Sequence, residues 1–292
     1  MKNISKTHTI KPIKALDPVR ISVIREVQKA ARELNFEVFM IGATARIILL
    51  EHVFGLSAGR TSNDIDFALA IENWDMYEKI KTYLINECGF TQSKDKIHQL
   101  FFNTAEQQHA YEIDLIPFGT IESMPDTIRW PPEMSLILNV AGYSDALKAS
   151  IKLELEPDLT ISIASLPSIA ILKIFAWIDR RYDSKSKDAI DLAALLRRYY
   201  EAGNMTRIYE DAAAIVALEA AGYDIELTGA WLLGNDASKV ASQTTKEQIL
   251  TIISDVRKRY LIQDMAKEMK DLENPLAYSE VLLQQFTDGF TA

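Results

Sequence analysis

Apolar residues recur along the first 165 positions with two alternating kinds of spacing, one typical of helices and one typical of strands. Residues 17–35, DPVRISVIREVQKAARELN, carry an apolar residue at each helical turn behind Asp17, which is placed to cap the helix. The short apolar run EVFMIGA at 37–43 indicates a strand that Gly42 ends, and helical spacing resumes after it. These spacings predict a strand-to-helix turn, and the N-terminus of a helix at such a turn is suited to binding an anion.

Further strands are predicted downstream, and a long helical region follows them. The expected strands are DIDFALAI, QLFFNT, AYEIDLIPFG, IKLELE and LTISIA, with the polar loop AEQQH joining the second to the third. From Ile169 onward almost every segment has helical spacing. The sequence therefore predicts an α+β protein with a mixed-sheet domain at residues 1–165 and an all-helical domain at residues 166–292.

Composition and charge narrow the classes of function. The formal net charge of −9 disfavours a general electrostatic attraction to nucleic acid or to an anionic membrane. No apolar run of about 18 residues is present, and the single cysteine, Cys88, excludes an intramolecular disulfide framework. We therefore expect a cytoplasmic protein with no membrane partner, in which Cys88 is a small buried thiol.

One region reverses the overall charge. Residues 171–200 contain seven lysines or arginines against four aspartates. This local excess of positive charge is consistent with a surface for an RNA acceptor or a triphosphate, and equally with a solvated helical face.

Two acidic residues stand on one face of the strand DIDFALAI. Asp64 and Asp66 are two positions apart, so their carboxylates point to the same side while Ile65 and Phe67 alternate with them. A shared proton or a divalent cation relieves the repulsion between such carboxylates. Asp114 has an equivalent place in a later strand, and three carboxylates at one end of a sheet suit Mg²⁺ or Mn²⁺. The alternative for an isolated Asp-x-Asp pair is a solvated strand edge.

These segments occur in an order that carries a resemblance. IGATAR (41–46), RTSNDIDFAL (60–69) and EIDLIPFG (112–119) resemble the nucleotidyltransferase superfamily that includes DNA polymerase β. The segment LPSIAILKIFAWIDRRYDSKSKDAIDLAALLRRY (166–199) resembles the helical motifs of bacterial AbiEii-type nucleotidyltransferases, which belong to type IV toxin–antitoxin systems. The resemblance covers roughly residues 36–200, and it departs from the superfamily pattern at Ala43, where glycine or serine is usual.

The resemblance implies a fold, a reaction and a set of partners. It implies a nucleotidyltransferase-like sheet domain that moves NMP from an NTP to a hydroxyl group of RNA, protein or a small molecule, with an antitoxin as a further partner. Asp64, Asp66 and Asp114 would be catalytic and would bind Mg²⁺ or Mn²⁺. The phosphates of the nucleotide would lie against the glycine turn, whose residues are Gly42, Ala43 and Thr44.

Charged residues outside the strands complete the predicted site. The AbiEii-type motifs place a lysine and an Asp-x-x-Asp-Leu sequence in the site, which makes Lys173 and Asp188 catalytic candidates and Lys173 a nucleotide contact. Lys173 lies on a strongly apolar helix, so it requires either a carboxylate or a phosphate as partner. Asp188 and Asp191 share a helical face, where Asp188 either helps to orient the site or caps the helix. Arg46 and Arg60 are predicted nucleotide contacts, with a solvated surface position as the alternative for each.

Three functions are compatible with these residues. The first is a metal-dependent nucleotidyltransferase, which the intact set of three aspartates favours. The second is a catalytically silent module that binds nucleotide and acts through partners. The third is a divalent cation site that only stabilises the fold.

Overall fold

The structure is a computed structural model that describes residues 9–103, 110–182, 186–254 and 256–292. The chain forms two compact units, which we call the sheet unit and the helical unit. The described part of the sheet unit runs to Gly55 and resumes over Thr61–Ala164, whereas the helical unit comprises Leu56–Arg60 and Ser165–Ala292. The loop AEQQH, predicted to join two strands, lies outside the described residues.

The described part of the sheet unit is built on one mixed sheet of eight strands. Its ten strands are β1 (Thr9–Ile10), β2 (Glu37–Ile41), β3 (Asp64–Ala70), β4 (Phe90–Gln92), β5 (Gln99–Phe102), β6 (Tyr111–Phe118), β7 (Thr127–Arg129), β8 (Ile137–Asn139), β9 (Ile151–Glu156) and β10 (Leu159–Ile163). Eight of them pair in the order β1-β9-β10-β2-β3-β6-β5-β4, and β7 pairs with β8 separately. Strand β3 lies antiparallel to β2 and parallel to β6, so the sheet is mixed, as the sequence predicts.

Helices in the sheet unit follow the capping signals of the sequence. They are α1 (Pro18–Leu34), α2 (Gly42–Ile47), α3 (Trp74–Cys88) and α4 (Tyr143–Lys148), and a π-helical segment at Ile48–Val53 extends α2. The Asp17 side chain accepts hydrogen bonds from two backbone amides of the first turn of α1, which confirms the predicted cap. Cys88 is buried at the end of α3, as expected, and burial raises the pKa of its thiol to about 12.

The described part of the helical unit contains eight α-helices. They are α5 (Leu166–Arg180), α6 (Lys187–Arg198), α7 (Met205–Glu210), α8 (Ala212–Ala220), α9 (Ile225–Val240), α10 (Gln243–Ser254), α11 (Lys258–Met265) and α12 (Pro275–Thr291). Helices α9 and α12 pack closely along each other, and Trp231, Leu232 and Leu233 of α9 belong to the buried core. None of the helices in the described residues is long and apolar enough to cross a membrane.

Local sequence does not reveal where the helices of one C-terminal segment divide. Residues 246–269 have helical spacing, and the structure contains two helices in this segment, α10 and α11. Helix α10 packs against α5, whereas α11 packs against α6 and α12. The two helices therefore have different packing neighbours.

Candidate active site

Strands β3 and β6 bring the three predicted aspartates to one face of the sheet. Parallel pairing sets Asp66 opposite Asp114 and Asp64 opposite Glu112, on strands about 4.8 Å apart. Asp64, Asp66 and Asp114 are each half-buried, whereas Ile65 of β3 is fully buried on the other face. The alternation along β3 therefore separates a carboxylate face from the core.

Polar side chains hold two of these carboxylates in place. Gln99 on β5 is buried and lies opposite Asp114 in the antiparallel register. Its amide nitrogen donates to Asp114 Oδ1 and to Glu112 Oε2, both at 3.1 Å. The Ser62 hydroxyl donates to Asp64 Oδ1. Sequence reasoning missed both Gln99 and Glu112. The pairing of β5 with β6 is what brings Gln99 to Asp114. Glu112 lies two residues before Asp114 on the same strand, so the two-residue period of a strand could have found it.

Gly42 lies against the Asp66 carboxylate. It follows Ile41, which is paired with Asp66, and it adopts a left-handed φ of +74°. A Cβ at this position would lie 1.9 Å from Asp66 Oδ2, far inside contact distance. The sequence predicts that Gly42 allows the backbone to approach a phosphate closely, whereas in the structure it makes room for the aspartate.

The residues after Gly42 are more enclosed than the sequence indicates. Ala43, Thr44 and Arg46 are all buried in α2. The Thr44 hydroxyl donates to the backbone carbonyl of Asp64 at 2.5 Å, so it ties the helix to the start of β3. The surface position considered for Arg46 is wrong, because its side chain is fully buried.

The charge of Asp114 affects the pKa values of His98 and Tyr77. Burial lowers the pKa of His98, and the negative charge of Asp114 acts in the opposite direction. Burial raises the pKa of Tyr77 well above its ordinary value, and the charges of Glu78 and Asp114 add to this increase. The lowered pKa of His98 and the raised pKa of Tyr77 both favour the neutral forms of these groups near pH 7.

A second cluster of charges lies within the helical unit. Lys173 of α5 places its ammonium 2.9 Å from Asp188 Oδ1 and 2.7 Å from Asp191 Oδ2, and all three side chains are almost fully buried. Arg60 donates to both carboxylate oxygens of Asp191 at 2.9 Å, and Arg180 donates to Asp188. The requirement that Lys173 have an anionic partner is thus met by carboxylates.

The protonation of this cluster follows from its contacts. Burial lowers the pKa of Lys173, but Asp191 and Asp188 outweigh burial and hold it above its ordinary value. Burial raises the pKa of Asp188, but Lys173 and Arg180 outweigh it, and the pKa is lowered. Lys173 and Asp188 therefore both carry their charges at neutral pH. The side chain of Asp188 does not cap α6, so the capping interpretation is wrong.

A family model spans most of the chain. The model described as nucleotidyl transferase AbiEii toxin, type IV TA system, matches residues 31–286. The chain belongs to the AbiEii nucleotidyltransferase family. The match confirms the AbiEii resemblance and extends it through the helical unit, beyond the residues 36–200 on which the motifs rested. This AbiEii-family chain is therefore a nucleotidyltransferase.

Comparisons with individual proteins add less. No curated protein matches the AbiEii-family chain. Among solved structures, an antigenic nucleotidyltransferase-like protein from Paracoccidioides brasiliensis has 13% identity and a TM-score of 0.42, covering 71% of this chain and 94% of its own. The antibiotic-resistance factor ANT(2'')-Ia has 14% identity and a TM-score of 0.37, covering 71% and 100%. A CCA-adding enzyme in complex with ATP has 13% identity and a TM-score of 0.32, covering 94% and 82%. These TM-scores are too low to carry an argument, so the assignment rests on the family match.

The carboxylate face supplies the donor type that a divalent cation prefers, but its side chains do not form a complete set of ligands. Among the described residues, no group of three or more His, Cys, Asp or Glu side chains is placed so that it would hold a metal ion. Asp64, Asp66 and Asp114 nevertheless supply only oxygen donors, which Mg²⁺ prefers. Mg²⁺ usually takes one or two protein carboxylates and completes its shell with water and substrate phosphates. The donor chemistry of these residues in the AbiEii-family chain therefore fits a divalent cation that takes its other ligands from elsewhere.

Proposed function

We propose that this chain transfers NMP from an NTP to a hydroxyl acceptor on RNA, protein or a small molecule, in a reaction that requires Mg²⁺ or Mn²⁺. The observation that carries the proposal is the parallel register of β3 and β6, which sets Asp66 beside Asp114 with Asp64 on the same face. No fold requires several neighbouring carboxylates on one sheet face, because like charges repel. Their cost is offset when they bind cations.

The protein residues act mainly by holding these carboxylates in position. Gly42 leaves space for Asp66, Gln99 orients Asp114, and Ser62 orients Asp64. When bound, divalent cations would neutralise charge on the triphosphate and lower the pKa of the attacking hydroxyl. Preorganised carboxylates avoid reorganisation during phosphoryl transfer, which depends mostly on positioning and electrostatic stabilisation.

The proposal separates the predicted site residues into two groups. The cation would bind to Asp64, Asp66 and Asp114. The phosphates would contact the turn formed by Gly42, Ala43 and Thr44, together with Arg46 of the same helix. The Thr44 hydroxyl already donates to Asp64, so phosphate contacts there would come from backbone amides. For the second group, Lys173, Asp188 and Arg60, the buried ion pairs support a role in holding the helical unit together.

We also propose that the activity is toxin-like and is restrained by an antitoxin. The support is the family description, which names a toxin of a type IV system.

The test uses label transfer with a matched pair of variants. The protein is incubated with Mg²⁺, each α-³²P-labelled NTP and total cellular RNA, and the RNA, protein and small-molecule fractions are counted. Asp66→Asn should reduce transfer by at least about 100-fold, because charge stabilisation worth several kcal/mol is lost. Asp95→Asn makes the same chemical change at an exposed position of the sheet unit and should leave transfer unchanged.

The outcomes distinguish the three functions considered from the sequence. Label in the wild type and in Asp95→Asn, but not in Asp66→Asn or with EDTA, supports the proposal and identifies the acceptor class. Equal labelling by Asp66→Asn contradicts it. Absence of label combined with an NTP-dependent rise in melting temperature supports the silent binding module. Stabilisation by Mg²⁺ alone supports a structural cation.

A further inference from the structure

An arginine in the helical unit is surrounded by aromatic rings. The guanidinium carbon of Arg181 lies 4.3 Å from the ring centroid of Tyr260, 4.8 Å from Tyr182 and 5.4 Å from Trp177. Arg259 stacks on Tyr260 at 4.6 Å and donates to the hydroxyl of that residue at 2.7 Å. We call Arg181, Tyr182, Arg259 and Tyr260 the arginine–tyrosine surface.

This surface is open to solvent and carries positive charge. Tyr182 is 86% exposed and Arg259 is exposed, while Arg181 and Tyr260 are half-buried. Within the part of the chain that the structure describes, no carboxylate forms an ion pair with Arg181 or Arg259. The four residues of the surface therefore carry two positive charges and no carboxylate.

Packing does not explain the whole cluster. Trp177 is fully buried, and its indole nitrogen donates to Asp264 at 3.0 Å, so this ring has a structural role. The Tyr182 ring contacts Arg181, but most of its surface faces water, so core packing does not account for this ring. An exposed aromatic ring stacked beside arginines offers a flat apolar face and a positive charge at the same place.

We propose that the arginine–tyrosine surface binds unpaired nucleotides of an RNA acceptor. Bases of a single strand stack on exposed aromatic rings and guanidinium planes, and arginines next to them neutralise the phosphates. A duplex hides its base faces, so it would gain only the electrostatic part of this binding. The inference rests on the proposed function, since it identifies RNA as the acceptor, but its test is a binding measurement that needs no catalysis.

The experiment measures binding of a fluorescein-labelled single-stranded RNA by anisotropy, with the duplex of the same sequence in parallel, over a series of salt concentrations. Tyr182→Ala should weaken single-strand binding by about tenfold and leave the salt dependence unchanged, because a stacking contact is lost. Arg259→Gln should reduce the slope of log K against log salt by about 0.7, because one phosphate contact is lost. Tyr209→Ala removes another exposed tyrosine of the helical unit and should bind as the wild type does.

Each outcome decides the inference separately from the proposed function. Preferential binding of the single strand, weakened at Tyr182 but not at Tyr209, supports it even if no NMP transfer is found. Equal binding by Tyr182→Ala and Tyr209→Ala overturns it even if RNA becomes labelled. Equal affinity for single strand and duplex, or no RNA binding at all, also overturns it, and the surface is then a contact for a protein partner or a structural cluster.

Discussion

Replacing Gly42 with alanine should impair catalysis by displacing Asp66. The added Cβ would lie 1.9 Å from Asp66 Oδ2 and 2.7 Å from Cγ, whereas Cβ contacts under 3.0 Å essentially never occur. The carboxylate must therefore move by roughly 1 Å, because the antiparallel pairing of β2 with β3 restrains the backbone. A misplacement of about 1 Å lowers catalytic rates by about 100-fold. The φ of +74° adds about 1–2 kcal/mol of backbone strain.

Gly89 provides a control that isolates the backbone effect. It follows α3 with a φ of +76°. Apart from Gly89 and its two chain neighbours, no heavy atom of the described residues lies within 4 Å of the place that an added methyl group would take, so Gly89→Ala carries strain without a clash. Initial rates of NMP transfer and melting temperatures are measured for both variants. Both should lose stability, but only Gly42→Ala should lose transfer. A Gly42→Ala protein that transfers within about twofold of Gly89→Ala would refute the claim that Gly42 positions Asp66.

Two further predictions concern stability. Lys173→Met leaves two buried aspartates without their shared ammonium and should lower the free energy of unfolding, measured by urea titration, by about 3–5 kcal/mol. Lys187→Met, at an exposed position of α6, should change the free energy of unfolding little. Equal urea midpoints for the two variants would contradict the prediction. Burial raises the pKa of Asp236, but the hydrogen bond and charge of Arg207 outweigh burial, and the pKa is lowered. The ionised carboxylate should therefore stabilise the fold above the unfolded-state pKa of about 3.9, and this stabilisation should be lost as the pH falls through the lower, folded-state pKa. The free energy of unfolding, measured from pH 5 to pH 2.5, should depend less on pH in Asp236→Asn than in Asp211→Asn. The Asp211 variant is the control, because it removes a more exposed partner of the same arginine. Identical pH profiles for the two variants would contradict the prediction.

Much of the candidate site could be predicted because its signals are local. The two-residue spacing of Asp64 and Asp66 between buried neighbours places both carboxylates on one face of any strand formed there. Gly42 is recognisable at the end of an apolar run before a helix. These features depend on backbone periodicity over a few residues, so one sequence is enough to find them.

Other contacts could not be predicted because they depend on pairing between distant segments. Gln99 reaches Asp114 only because β5 and β6 pair in one particular register, and a shift by one residue would turn Gln99 to the other face. The anionic partner of Lys173 was left open between phosphate and carboxylate, and the packing of α5 against α6 decided it. The stacking of Arg181 on Tyr260 likewise joins residues about 80 positions apart.

The sequence by itself determined the α+β class, the strand that carries Asp64 and Asp66, and the family-like order of motifs. Those properties follow from the spacing of apolar residues and from residue type. Only the tertiary structure decided that the space beside Gly42 is taken by Asp66, that Lys173 is neutralised within the helical unit, and that residues 246–269 form two helices. Each of these results from which segments pack together, and that choice is made by the summed burial of the whole chain.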